Sequence, residues 1–344
     1  MFPAMHCFVS AVLGVALVAA GLGLTHASPT SQLQRTLAFA LIGDQPYNNP
    51  LEAATDTLLS ALAQTQAVEW ILHVGDIKGG GEPCSDELLN RRIAQMESSE
   101  KPLVYVVGDN EWTDCHRDSN GNYSSEERLD FLRNRAHKTP HSLGKTKLSV
   151  QRQTEQGFPE HQMWQMGSTL FVVLNVPGSN NHLSNPSSRK ASGESVKKLF
   201  IQREQAIDQW LIQAEKLFRD TDNPPTETVI AIQGNPIDGS GKAWRFENLF
   251  ITGDGYERFN KRLVRYLKAT GRPLLLAHGD THRFKWDRPS LAKYGATPGI
   301  DRLFYRVEGW GHPFVNNWVK VTVNQGSNSP FHAESMGLPI RGNN

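Results

Sequence analysis

The chain of 344 residues sets 36 Lys and Arg against 35 Asp and Glu, a net charge of +1. That balance excludes a global field able to gather nucleic acid or an anionic membrane, so an anionic ligand must be drawn in locally. The length and the 38% hydrophobic content suit one large α/β domain, or two smaller ones, with ample core.

At the start of the chain, Phe8 to Leu24 are apolar and lead into Thr25-His26-Ala27, the small-residue pattern of a signal-peptidase site. Residues 1–27 therefore read as a signal peptide and the protein as exported, periplasmic or secreted. The n-region has no Lys or Arg and the stretch nearly spans a bilayer, so an uncleaved anchor is the alternative; only in that case is a membrane expected. Residues 35–325 read as the domain and 326–344, rich in Asn, Ser and Gly, as a flexible tail. Cleavage leaves Cys84 and Cys115, each a few residues beyond an Asp-bearing turn. Oxidising export predicts a disulfide between them, two buried thiols being the alternative.

Apolar runs at Leu37 to Ile42, Trp70 to Val74, Leu103 to Val107, Leu170 to Val176, Val229 to Ile232 and Leu274 to Ala277 have the length and β-branched content of buried strands. Between them lie helical stripes. Leu51, Ala54, Leu58 and Leu62 share a face, as do Leu89, Ile93 and Met96; Ile207, Trp210, Leu211 and Ala214; and Tyr256, Phe259, Leu263 and Leu267. The alternation predicts a largely parallel sheet covered on both sides. Leu303 to Val307 and Trp318 to Val323 read as late antiparallel strands, and residues 138–167 and 178–193 as long polar connections. Asn122-Tyr123-Ser124 is a glycosylation sequon, but Ser124 with Glu127 also forms a helix capping box, which is the reading preferred here.

The strand ends carry the chemistry. The runs close on Gly43-Asp44, Gly75-Asp76, Gly108-Asp109-Asn110-Glu111, Gln233-Gly234-Asn235 and Gly279-Asp280-Thr281-His282. In open α/β sheets ligands bind beyond the carboxyl ends of strands, so these groups are expected to converge. One Gly-Asp pair is an ordinary turn; four of them at strand ends are not. Crowded acids with a histidine repel one another unless a cation neutralises them, which is the physical case for a metal.

The series resembles the calcineurin-like metallophosphoesterases, whose pattern is D-x-H, G-D, G-N-H-E/D, a strand-end His, then G-H-x-H, over roughly residues 37 to 285. The combination GDQPY, HVGDIKGG, VGDNEWTDC and HGDTH resembles a divergent exported branch of that family. The resemblance implies an α/β fold of layered β-sheets flanked by helices, with late strands antiparallel. It also implies two divalent metals held by Asp44, Asp76 as the bridge, Asp109, Gln233, Asp280 and His282. The implied function is hydrolysis of phosphoric esters, a monoester or a diester of a phosphorylated small molecule, with metal-activated water attacking phosphorus.

The departures from the pattern define the alternative. Pro46 stands for the His of D-x-H, Asn110 for the leaving-group His, Asp280 for the first His of G-H-x-H, and Gln233 or Asn235 for the strand-end His. Four carboxylates in an oxygen-rich set favour Mn²⁺, Mg²⁺ or Ca²⁺, with Zn²⁺ or Fe compatible. Asn110, Lys78 and His278 are the candidate catalytic groups. Each also has a plainer reading: Lys78 as a surface lysine in the loop Gly79-Gly80-Gly81, His73 and His278 as core histidines. His312 lies on a late loop able to cap the site. Loss of the leaving-group histidine typically costs ~10² to 10⁴ in rate, so the alternative is a metal-binding pseudoenzyme serving as a ligand- or partner-binding protein. A nucleic-acid module finds only weak support, in the basic stripe Arg258, Lys261, Arg262, Arg265 and Lys268, which lacks aromatic partners; no specific nucleic-acid binding is expected.

Overall fold

Runs that bury side chains on both faces become strands of two facing sheets. The computed structural model describes residues 35–183, 193–238 and 254–338; the N-terminal segment, residues 184–192 of the second polar connection and the end of the tail lie outside them. In the first sheet β1 (Thr36–Ile42), β2 (Trp70–His73) and β3 (Leu103–Tyr105) run parallel. The second sheet begins with β4 (Gln151–Gln153) and β5 (Phe158–Met166), antiparallel to each other, and β5 is antiparallel to β6 (Thr169–Val173). Then β6, β7 (Glu227–Ala231) and β8 (Leu274–His278) run parallel. The short β9 (Lys285–Asp287) closes the far edge against β10 (Phe304–Glu308). Finally β11 (Asn317–Asn324) returns to pair antiparallel with β1 and with β12 (Phe331–Gly337). The spatial orders are β12-β11-β1-β2-β3 and β4-β5-β6-β7-β8-β10-β9.

Three packed clusters hold these layers. Phe39, Trp70, Val104 and Val321 of the first sheet meet Trp164, Phe171, Val229 and Leu275 of the second. Trp70 is the hinge pin of this contact, stacked on Phe39 at 4.6 Å and edge-on to Phe171 at 5.2 Å. Helices Glu52–Gln64, Asp86–Glu97 and Ser125–Ala136 cover the outer face of the first sheet, and Gly193–Leu217 and Glu257–Thr270 that of the second. The result is helices, sheet, sheet, helices, the layering that lets each sheet bury both faces. The Ser124 side chain caps its helix by accepting from Glu127 N, as the capping box predicts. Among the described residues no helix is long and apolar enough to cross a membrane.

Three sequence expectations are corrected. Residues 304–308 are antiparallel on one side only: they pair antiparallel with β9 but parallel with β8, because the chain passes through β9 and a short helical turn before entering between the two. Residues 138–167 are not a bare connection: they supply β4 and β5, whose alternation of Gln, His and Glu with apolar residues concealed them. The expected tail holds β12, fixed through its seven-residue register with β11.

Candidate functional site

The carboxyl ends of β1, β2 and β3 and those of β7 and β8 arrive at one end of the sandwich. There the two sheets are stitched together: Asp280 N donates to the Asp44 carboxylate at 3.2 Å, and His312 N to the Asp44 carbonyl at 3.0 Å. Asp44, Asp76, Asp280 and His282 all have left-handed backbone, with φ of 51°, 55°, 78° and 64°. Non-glycine residues there cost on the order of 1–2 kcal/mol each, and such residues gather at functional sites. The turns are held by specific bonds. Asp44 N donates to Gly75 O at 2.9 Å, and Glu111 Oε1 accepts from Asp76 N, Gly108 N and Tyr105 Oη at 3.1, 2.7 and 2.7 Å.

The site has two halves. In one, the Tyr47 hydroxyl lies 3.3 Å from Asp44 Oδ1, 3.1 Å from Asp76 Oδ2 and 3.0 Å from His282 Nε2. His282 Nδ1 donates to the His312 carbonyl at 2.8 Å, which fixes the ring. In the other half, Asp109 and Asp280 face each other across the Gln233 amide, whose nitrogen lies 3.3 and 3.4 Å from them. Ser179 Oγ donates to Asp109 Oδ2 at 2.8 Å, and Asn235 N to Asp280 Oδ2 at 3.3 Å. Gly178 closes this half. A Cβ there would stand 2.4 Å from Asp280 Oδ1 and 2.7 Å from Asp109 Oδ2, so only glycine leaves both carboxylates in place. Gly108 has the same role under Asp76, whose Oδ1 a Cβ would meet at 2.1 Å.

The electrostatics are those of acids without enough counter-charge. Desolvation, then the charges of Asp109, Glu111 and Asp44, hold Asp76 well above the usual carboxylate range; desolvation, then Asp109 and Asp44, do the same to Asp280. Desolvation pushes Glu111 up to about 7 against its three hydrogen bonds. Desolvation works against the His282 imidazolium, yet the bond to Asp44 and its charge prevail and push it up to about 9. Desolvation and the charges of Asp76 and Asp44 raise Tyr47 well above the usual phenol range.

A family model for calcineurin-like phosphoesterases matches residues 38–284. The chain belongs to that family. No curated protein matches it in sequence. Among solved structures, it is similar to the Plasmodium protein described as "GAP50 the anchor in the inner membrane complex of Plasmodium", at 11% identity and a TM-score of 0.48, over 88% of this chain and 84% of that one.

Against this calcineurin-like frame the sequence candidates separate. Asp44, Asp76, Asp109, Asp280 and His282 converge. Gln233 is among them, but its oxygen accepts from Gly178 N and its nitrogen faces the acids, so it spaces and orients them. Asn110 lies against Asp76 and spends its amide on Asp76 Oδ2 at 2.9 Å, Lys78 O at 3.2 Å and Tyr47 Oη at 3.3 Å. Two catalytic expectations are corrected. Lys78 is fully buried and donates to Gly79 O at 2.9 Å, so its ammonium is a counter-charge beneath Asp76 and Glu111, not a hand for substrate. His278 turns its ring away from the acids. Its Nδ1 meets Gly279 O at 2.9 Å, its charged neighbours are Arg306, Lys285 and Asp238, and burial lowers it to about 3. The disulfide between Cys84 and Cys115 is present, both sulfurs lying against the Asn110 carbonyl at 3.4 and 3.6 Å.

Sequence reasoning gave no role to Tyr47 or Asp114, and read the loop Gly178-Ser179-Asn180-Asn181 as one that shapes the pocket or merely packs. Tyr47 had a signal, a tyrosine one residue beyond the missing histidine of D-x-H. The loop does reach the site, where Ser179 donates to Asp109 Oδ2 at 2.8 Å and to Asp114 Oδ1 at 2.9 Å.

Among the described residues no three or more His, Cys, Asp or Glu side chains stand in the spacing that holds a metal ion. The Tyr47 phenol and the Gln233 amide keep the acids apart. The donor chemistry nevertheless fits hard divalent cations. Among the described residues, His282 and Lys78 bring positive charge to the group of Asp44, Asp76, Asp109, Asp280 and Glu111, and oxygen donors dominate.

Proposed function

We propose that the protein is a metal-dependent hydrolase of phosphoric esters. The observation that carries this reading is the convergence of four strand-end aspartates and His282 at one end of the sandwich, with Asp76 and Asp280 held in a state that added positive charge would relieve. Asp44, Asp76 and His282 would hold one divalent cation and Asp76, Asp109 and Asp280 a second. Bound there, the ions would polarise a phosphoryl oxygen and acidify an attacking water. The chain itself does the positioning. Glu111 locks the turns bearing Asp76 and Asp109, Ser179 aims the Asp109 carboxylate, and the disulfide braces the Asn110 loop from behind. That disulfide also supports an exported, oxidising location.

One observation favours a second reading, a metal-binding protein without turnover. With Asn110 committed to Asp76 and Lys78 buried, neither is placed to protonate a leaving oxygen. The deciding experiment strips the protein with chelator, reloads it with Mn²⁺, Mg²⁺, Ca²⁺ or Zn²⁺, and assays p-nitrophenyl phosphate and bis-p-nitrophenyl phosphate. Hydrolysis is expected to depend on metal and to fall by roughly 10²–10³ or more in Asp76→Asn, the scale of losing one preorganised electrostatic group. Metal uptake without turnover above a metal-only blank on either ester establishes the binding protein instead.

A further inference from the structure

We infer that Glu308 is a positioning residue for the HGDTH turn: its carboxylate, at the end of β10, holds Thr281 and Arg283 on either side of His282 and so sets where His282 and Asp280 stand. The effect on metal binding rests on the metal-centre reading above; the hold on the turn does not. Glu308 Oε1 accepts from Thr281 Oγ1 and from Arg283 N, the latter at 3.4 Å. Strand register puts it there. In the parallel pairing of β10 with β8, Glu308 lies abreast of His278, the last residue of β8. Gly309 N donates to the His278 carbonyl at 2.9 Å, so the two strand ends are pinned together beside the turn.

Two observations separate this acid from an ordinary core residue. The turn needs an external hold: Asp280 and His282 have left-handed backbone, and Thr281 and Arg283 are exposed, so packing does little to fix them. Glu308, by contrast, is fully buried, its Oε2 lacks a hydrogen-bond partner, and Lys285 Nζ stands 3.9 Å from that oxygen. A carboxylate buried with one oxygen unsatisfied is destabilising, and an apolar side chain of similar size would fill the position at lower cost. What the carboxylate supplies, and an apolar group could not, is the pair of bonds that orients the turn. Glu111 is its counterpart in the first sheet. There Oε1 gathers Asp76 N, Gly108 N and Tyr105 Oη, and Oε2 again lacks a partner. Each sheet thus places one buried glutamate against a turn that bears site residues.

The test takes full-length chain, stripped with chelator, as wild type, Glu308→Ala, Glu308→Gln and Thr281→Val. Two quantities are measured: amide hydrogen exchange of the peptide from Gly279 to Arg283, and Mn²⁺ affinity by titration calorimetry. The glutamine oxygen can accept both bonds, so Glu308→Gln is expected to exchange and bind as the wild type does. Glu308→Ala should exchange faster at this peptide and bind Mn²⁺ roughly 10- to 100-fold more weakly, the cost of losing a group that orients ligands; Thr281→Val, which loses one of the two bonds, should shift both in the same direction. A Glu308→Ala peptide that exchanges as in the wild type, exchange raised evenly over the whole chain, or a glutamine variant as loose as the alanine one overturns the positioning role. A wild type that takes up no Mn²⁺ while Glu308→Ala still loosens this peptide overturns the metal-centre reading and leaves the hold on the turn standing. Thr281→Val changes one hydroxyl on an exposed residue, so it decides where Glu308→Ala fails to fold.

Discussion

At the scale of single residues, the site depends on what glycine omits as much as on what the acids supply. Gly178 lies against Asp109 and Asp280 together, so Gly178→Ala should push the two carboxylates out of position. Its φ lies outside the left-handed region, so the fold itself should tolerate the methyl. We expect Mn²⁺ binding weakened by roughly 10- to 100-fold, the cost of disturbing groups that orient ligands, with a thermal midpoint within a few degrees of wild type. Titration calorimetry paired with a melt would show it; unchanged affinity would mean that Asp109 and Asp280 do not act together. The acids were legible in the sequence because each ends an apolar run in Gly-Asp. Their partners were not. Ser179 meets Asp109 across 70 residues of chain and Tyr47 meets His282 across 235, and no local pattern records such pairings.

At the scale of elements, the loops after β2 and β3 carry Asp76, Asp109 and Asn110, and one covalent link joins them. The Cys84–Cys115 bridge spans 31 residues, and closing a loop of that length stabilises by about 2–4 kcal/mol through the unfolded chain. Cys84→Ser with Cys115→Ser should lower the unfolding free energy by that amount, read from denaturant titration of the metal-free protein; a loss below about 0.5 kcal/mol would show that the bridge adds nothing to the fold. The basic stripe of the helix Glu257–Thr270 is tied into local pairs: Arg258, Arg262 and Arg265 converge on Asp208 of the neighbouring helix, Lys261 bonds Glu257 and Lys268 bonds Gly295 O. Strand positions were readable because both-face burial demands continuous apolar runs; β4 and β5 were not, because their polar residues are satisfied by partners distant in sequence, such as Glu160 by Arg133 and Asn175.

At the scale of the whole molecule, the alternation of strands and helices made an α/β fold legible and the resemblance implied layered sheets, whereas the assignment of each strand to its sheet was not legible. Strand pairing is set by contacts such as β1 with β11, nearly 300 residues apart, and by nothing in either strand alone. The charge state of the assembled molecule yields a test in acid. Burial lowers His73 and His161 to about 4 and His278 to about 3, and holds His137 and His182 well below their usual value. Below pH 6.5 the unfolded chain therefore binds protons at these five that the native one refuses, and the stability they contribute above pH 6.5 is lost as pH falls through the folded values. Glu111 and Glu308, desolvated up to about 7, act in the opposite sense with Asp76 and Asp280: the native chain binds their protons first and gains stability as pH falls toward 4.5. The chelated protein should thus lose its denaturation midpoint gently from pH 6.5 to 4.5 and more steeply between 4.5 and about 4, where the gain from the glutamates has ended. Bound ions cancel the gain from the two aspartates, so with Mn²⁺ the midpoint should decline more steeply throughout that range. Superimposable profiles with and without Mn²⁺ would show that the ion does not reach these acids. The central claim, that the strand-end aspartates form a metal centre bridged by Asp76, is tested most directly by equilibrium dialysis of chelated chain against Mn²⁺, with wild type beside Asp76→Asn. The account predicts two ions per wild-type chain and a loss of affinity at both positions in the variant, since one carboxylate serves both; a wild type that takes up no Mn²⁺, or a variant that binds it as the wild type does, would contradict it.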